Sequence, residues 1–153
     1  MRFSSVARVV FDFQASLDKS EIQQAIMDIE YVGKGTATGA ALDTAREGLI
    51  LPEQSLVGRR DDVKTVVLVV TDGATLETSE VLAAAAAAMH ETGAVTFALG
   101  ITDSVNLSEL AVIASSPQNV VTVNDLEAAG AEEFIRGLVL QIACDEAPTT
   151  ALP

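Results

Sequence analysis

Residues 65–73 read Thr-Val-Val-Leu-Val-Val-Thr-Asp-Gly. The stretch 65–70 is almost wholly β-branched and shows no polar alternation. It predicts a strand covered on both faces, as in a parallel sheet sandwiched between helices. The run stops at Thr71-Asp72-Gly73, a carboxylate followed by a glycine that lets the backbone turn sharply. Downstream, residues 79–92 carry the tract Ala83 to Ala88. Its strong helix propensity and small side chains predict a helix packed closely against the sheet, closed by Gly93. A strand over 94–99, a short helix over 107–114, a strand over 119–123 and a last helix over 126–142 follow from the same patterning. Strand and helix alternating at this spacing imply βαβ units and a parallel, doubly wound α/β sheet.

Upstream, residues 6–13, Val-Ala-Arg-Val-Val-Phe-Asp-Phe, have strand composition. Asp18-Lys19-Ser20-Glu21 opens a helix to about Ile29, with Ile22, Ile26 and Ile29 on one face. The glycine-rich turn 32–39 then leads into a helix reaching about Leu51, with Leu42, Ala45 and Leu49 directed inward. Residues 52–62 form a polar loop containing Gly58-Arg59-Arg60-Asp61-Asp62.

The 153 residues include 22 Asp or Glu and 9 Lys or Arg, a net charge of -13, with 49% apolar residues and one Cys. That apolar content excludes a disordered acidic tail. One Cys excludes an internal disulfide framework and a cysteine-clustered zinc site. The negative charge argues against nucleic acid and anionic membranes as partners, because phosphate binding runs on Lys and Arg. No apolar run approaches the roughly 20 residues of a membrane span. The start, Met1-Arg2-Phe3-Ser4-Ser5, has no apolar region of signal-peptide type. Taken alone, these features describe a cytosolic domain.

In doubly wound sheets ligands bind beyond the carboxyl ends of the strands, which directs attention to Asp72 and to the turn containing Thr36. Asp72 reads either as a plain turn residue or as a ligand. Thr36 and Thr38 read equally as helix N-caps. The Gly-Lys-Gly-Thr stretch fails the phosphate-loop template, because Gly35 follows Lys34 and Asp28 stands where the first glycine belongs. No dinucleotide fingerprint opens a helix after a strand. Together, the oxygens of Thr36 and Asp72 suit a hard divalent cation such as Mg²⁺, although one carboxylate is only part of a shell. Asn106-Leu107-Ser108 is a glycosylation sequon or simply a helix cap. His90 reads as a solvated helix-end residue. One His and no nucleophile elbow make a hydrolytic triad unpersuasive.

The stretch 32–42, Val-Gly-Lys-Gly-Thr-Ala-Thr-Gly-Ala-Ala-Leu, the Gly58-Arg59-Arg60 loop, the 66–73 stretch, Phe97-Ala98-Leu99-Gly100-Ile101 and residues 110–114 follow one another in the order and spacing of a von Willebrand factor type A domain. The chain resembles this family over nearly its whole length, and within it the A domains of matrilins and non-fibrillar collagens. The resemblance implies a Rossmann-like, doubly wound, mostly parallel sheet flanked by helices. It also implies a non-enzymatic, secreted or cell-surface adhesion module. In that family a metal-ion-dependent adhesion site uses an Asp-x-Ser-x-Ser motif, a Thr of the glycine-rich turn and the Asp of Thr-Asp-Gly. Thr36 and Asp72 match the last two, so the implied cofactor is Mg²⁺ (or Mn²⁺ or Ca²⁺) and the implied partner an extracellular-matrix protein such as collagen.

The Asp-x-Ser-x-Ser motif is absent from this sequence. Arg2-Phe3-Ser4-Ser5 looks like the end of the family's second strand and residues 9–13 like its third. The resemblance therefore implies a partial domain over 1–144, lacking the first strand and first helix, with 145–153 a tail or linker. Metal binding is expected to be weak or absent in such a fragment. A missing central strand would leave the 65–70 strand unpaired on one side, unless the second-strand remnant slides next to it. Cys144 would then be the half of a terminus-tying disulfide whose partner lies in the missing N-terminal segment; the other reading is a free or buried thiol. Two alternatives stand beside the adhesion reading: a metal-independent interaction module of the same family, and an intracellular α/β metal-dependent enzyme with Asp72 at the strand end.

Overall fold

The computed structural model describes residues 1–15, 18–33, 35–51, 58, 63–124, 136, 137 and 140. In chain order its elements are β1 (Arg2–Phe3), β2 (Ala7–Arg8), α1 (Lys19–Met27), α2 (Thr38–Ala45), β3 (Val66–Thr71), α3 (Ser79–Glu91), β4 (Val95–Ile101), α4 (Leu107–Ile113) and β5 (Val120–Val123). A π-helical turn, Arg46–Ile50, prolongs α2.

Strands β3, β4 and β5 form a parallel sheet in that order. Val66 lies opposite Val95 and Thr71 opposite Gly100, while Ala98 lies opposite Val120. Helices α3 and α4 are the two crossovers, so the βαβ reading of the alternating pattern holds. Strand β4 is central, and Thr96, Phe97, Ala98, Leu99 and Gly100 are all buried. That is why its sequence shows no polar alternation.

Strand β3 departs from the expectation of two covered faces. Leu68 and Val70 are 38% and 42% exposed. Among the described residues β3 pairs only with β4, so no strand is hydrogen-bonded along its other edge. The N-terminal residues do not slide in next to it. Instead β1 and β2 pair with each other as a separate antiparallel ribbon, Arg2 opposite Arg8 and Phe3 opposite Ala7.

The expected strand over residues 6–13 shrinks to Ala7–Arg8. A β-branched run needs a ladder partner, and beyond Arg8 none is offered among the described residues. Helix α1 forms where expected but buries no residue. Ile26 is 51% exposed, so its apolar face is not a core face here. What holds α1 is its cap: the Asp18 carboxylate accepts from the N–H groups of Ser20 and Glu21 at 2.8 and 3.2 Å.

The core lies where α2, α3 and α4 meet the sheet. Leu42, Ala45, Val69, Leu82, Ala85, Ala86, Met89, Ala98, Leu110 and Ile113 form one buried cluster, in which each large aliphatic side chain stabilises the fold by about 2 kcal/mol. The alanine tract contributes Ala85 and Ala86, whose size lets α3 approach α2 closely. Gly93 ends α3 as expected, at φ 80°. The expected last helix lies almost wholly outside the described residues, as do Cys144 and the tail 145–153.

Candidate functional site

The glycine-rich turn is held in place by Gly35, at φ 65°, a conformation that favours glycine. The next residue, Thr36, is tied to two other segments. Its carbonyl accepts from the Leu76 N–H at 3.0 Å and from the Thr75 hydroxyl at 2.9 Å. The neighbouring Ala37 N–H donates to the Ser4 carbonyl at 2.7 Å. The turn is thereby pinned between the β1–β2 ribbon and the loop that follows β3.

Asp72 directly follows β3, as the sequence indicates. Thr71 Oγ1 donates to the Gly73 carbonyl at 3.0 Å and closes the turn. The Asp72 carbonyl accepts from the Thr102 hydroxyl at 3.4 Å. The Asp72 side chain is exposed, and among the described residues its carboxylate accepts no hydrogen bond. Thr36 and Asp72 line one cavity of about 850 Å³, together with Arg2, Ser4, Ser5 and Tyr31. The two residues singled out from the sequence are thus brought to a common space.

Neither Thr36 nor Thr38 is the N-cap of α2. The cap position is Ala37, which has no side-chain acceptor, and Thr38 is a buried first-turn residue. Glu77 takes that role instead: its carboxylate accepts from the N–H groups of Gly39 and, at 3.1 Å, of Ala40. Thr75 Oγ1 also lies 3.2 Å from Glu77 Oε2, and the Thr75 N–H donates to Glu109 Oε2 at 2.7 Å. Two acidic residues therefore lock the loop after β3 to α2 and α4. Sequence reasoning missed both, because the pairings are distant in the chain and leave no local periodic signal. On α3, the Glu80 carboxyl is held below its ordinary value by its own main-chain N–H and then by the Thr78 hydroxyl.

The hard oxygens that line the cavity come from two acidic residues, Asp72 and Glu30, and several hydroxyls, with Arg2 and Arg8 on the same lining. Such donors fit a water-rich divalent cation held loosely, since Mg²⁺ retains several waters when few protein ligands are offered. Ser4 and Ser5 enlarge the donor set beyond the sequence reading. Among the described residues no three His, Cys, Asp or Glu side chains gather as a metal cage.

His90 is not the solvated residue expected. Its Nε2 lies 2.9 Å from the Ile113 carbonyl and joins α3 to α4, at the end of the sheet opposite Asp72. Asn106 caps α4, its Oδ1 accepting from the Ser108 N–H at 3.0 Å. Among the described residues no helix is long and apolar enough to cross a membrane.

A parallel sheet with crossover helices, and a Thr and an Asp converging at its carboxyl end, define an α/β domain of the Rossmann-like type. The family model for the von Willebrand factor type A domain matches residues 1–136, and the chain belongs to that family. It is similar to human matrilin-4, at 36% identity over 76% of this chain and 18% of the relative. Human matrilin-1 shows 31% identity over 78% of this chain and 23% of the relative. The chain thus spans about a fifth of the length of these curated relatives. Among solved structures, it resembles proximal thread matrix protein 1 from the mussel byssus with a zinc-occupied MIDAS motif. The TM-score is 0.77 and the identity 27%, over 93% of this chain and 33% of that one.

Proposed function

We propose that the chain is a non-enzymatic protein-binding module of a secreted or cell-surface protein, and that its contact point is a divalent cation at the carboxyl end of the sheet. The observation that carries this reading is the Asp72 carboxylate, exposed, without a hydrogen-bond partner among the described residues, and facing the same cavity as Thr36. Asp72 and Thr36 would hold Mg²⁺, Mn²⁺ or Ca²⁺, with Ser4 and Ser5 near enough to the same space to join them. Bound there, the cation would supply an open coordination position for an acidic side chain of a partner. The likeness to matrilins favours a matrix protein such as collagen as that partner. The mussel byssus protein supports the cation, since its motif is described as zinc-occupied.

The test is binding of the full-length protein to immobilised collagen with Mg²⁺ and with EDTA. Binding that needs the cation and falls at least roughly tenfold in Asp72→Ala is the expected result. Undiminished binding in that variant would sink the cation mechanism. The present chain alone is expected to bind Mg²⁺ or Mn²⁺ weakly in calorimetric titration, because a carboxylate and a few hydroxyls leave most of the shell to water.

A metal-independent interaction module of the same family is the second reading. It is favoured by the lack of any three-residue acidic or His/Cys cluster among the described residues. Collagen binding unaffected by both EDTA and Asp72→Ala would establish it.

A further inference from the structure

Asn106, Asn119 and Asn124 are the asparagines of the chain, and only Asn106 has a Ser or Thr two positions on, with Leu107 rather than Pro between. Asn106-Leu107-Ser108 thus has the form of an N-glycosylation acceptor. The same tripeptide also serves as a helix start, since Asn106 caps α4 through Oδ1. Capping explains only part of it. The cap uses the Asn106 oxygen and the Ser108 main-chain N–H, whereas the Ser108 hydroxyl makes no hydrogen bond among the described residues. The Asn106 amide nitrogen stays at the surface, where it donates to Glu109 Oε1 at 3.0 Å.

All three residues of the tripeptide are exposed. They lie where the loop after the carboxyl end of β4 enters α4, so a substituent on Asn106 extends into solvent without disturbing the core. Two exposed leucines stand in the same locality. Leu107 is 62% exposed, and Leu76 is 78% exposed. Leu76 is brought near by Glu109, which accepts from Asn106 Nδ2 with one oxygen and from the Thr75 N–H, at 2.7 Å, with the other. A bulky, hydrated group on Asn106 would shield this apolar surface.

We propose that Asn106 carries an N-linked glycan. The inference rests on the reading of the chain as part of a secreted or cell-surface protein, because the sugar donor, a polyprenol-pyrophosphate oligosaccharide, is met on the luminal side of the secretory pathway. In the transfer, Nδ2 bonds to the anomeric carbon of the first sugar. The bond from that carbon to the pyrophosphate oxygen breaks, and the polyprenol pyrophosphate leaves with the electron pair. Nδ2 gives up one of its two protons to the transferase and keeps the other. Oδ1 is untouched, so α4 retains its cap in the glycosylated form. The glycan stands on the α4 side of the carboxyl end of the sheet, over Leu107.

The test uses the full-length protein secreted by cultured animal cells. After peptide-N-glycosidase treatment in heavy-oxygen water, peptide mass spectrometry is expected to find residue 106 as heavy-oxygen-labelled aspartate, the mark of a released glycan. Ser108→Ala is expected to abolish the label while leaving the cap, which uses a main-chain N–H. Ser108→Thr, which keeps the hydroxyl, is expected to retain the label. Unlabelled Asn106 in the secreted protein, or a label that survives Ser108→Ala, overturns the proposal and leaves the secreted reading standing. A protein recovered only from the cytosol overturns the secreted reading and the glycan with it, so where the protein is found tells the two failures apart.

Discussion

Glu77 Oε1 stands 3.1 Å from the main-chain nitrogen of Ala40, so a helix is capped by a carboxylate that lies 37 residues further along the chain. A second oxygen of the same group takes the Gly39 N–H. The first turn of α2 is therefore stabilised by the loop that follows Asp72, and cap and candidate site form one hydrogen-bonded unit. Negative charge at a helix N-terminus is favourable in itself. Glu77→Ala is expected to destabilise the chain by about 1–2 kcal/mol, read as a lower urea midpoint at unchanged slope. Glu77→Gln, which keeps an acceptor oxygen but loses the charge, should cost less than half of that; equal losses would show that the charge carries the whole effect and the neutral acceptor none.

Gly35 and Gly93 share a positive φ, at 65° and 80°, but not their surroundings. A Cβ on Gly35 would lie 2.7 Å from Ser5 Oγ and 2.9 Å from Leu76 Cδ1, whereas one on Gly93 meets nothing within 4 Å. Gly93→Ala should cost only backbone strain, about 1 kcal/mol. Gly35→Ala should cost more, about 2 kcal/mol, and should also displace Thr36. Thermal denaturation of the two variants side by side measures the difference, and matching melting temperatures would refute the contact.

Thr96 is fully buried at the centre of β4, and its Oγ1 has no hydrogen-bond partner among the described residues. Its main chain is well satisfied, the N–H by Ser115 Oγ at 2.8 Å. Thr96→Val exchanges an unsatisfied hydroxyl for a methyl of the same shape on a strand that suits Val. A gain of about 1 kcal/mol in denaturant unfolding is expected. A loss of similar size would mean that the hydroxyl has a partner in the folded protein.

Asp18 is held below its ordinary carboxyl value of 3.8 by the Ser20 hydroxyl first, then by the N–H groups of Glu21 and Ser20. A depressed folded-state value means that the charged form is the one the helix binds. The contribution of the cap to α1 is therefore fully present above about pH 3.8 and fades as the pH falls through the lowered value. Far-UV circular dichroism should show an acid-side loss of helix that Asp18→Asn removes or flattens. Since α1 buries nothing, this loss should precede global unfolding.

The second half of the fold was legible because each of its elements is specified locally. The unbroken apolar run of β3, the alanine helix with its closing Gly93, and the Asn106 cap of α4 all state their own conformation. So does Asp72, since a carboxylate directly after an apolar strand stands where a doubly wound sheet opens to ligands. The first half was less legible. The 6–13 run has strand composition, but whether it pairs depends on a neighbour, and only Ala7–Arg8 finds one. The Ile22, Ile26, Ile29 stripe reads as one apolar face, yet α1 buries no residue. The Glu77 cap and the His90 bond to Ile113 are contacts between residues far apart in the chain. Thr36 could be picked out as a turn oxygen, but that Ser4 and Ser5 share its cavity follows from the path of the β1–β2 ribbon.

Strand β4, buried over five consecutive residues between two parallel neighbours, sets an order in which the molecule comes apart. The β3–α3–β4–α4–β5 stretch shares one core with α2, whose Leu42 and Ala45 pack into the same buried cluster, and these elements hold together as the tighter part of the molecule. The β1–β2 ribbon and α1 attach to it through few bonds and open at lower free energy. Brief proteolysis should thus pare the molecule to a resistant kernel, and the amides of β4 should be the last to exchange. The chain is a small cooperative unit with a looser rim, and the Thr36 turn lies on the seam between the two.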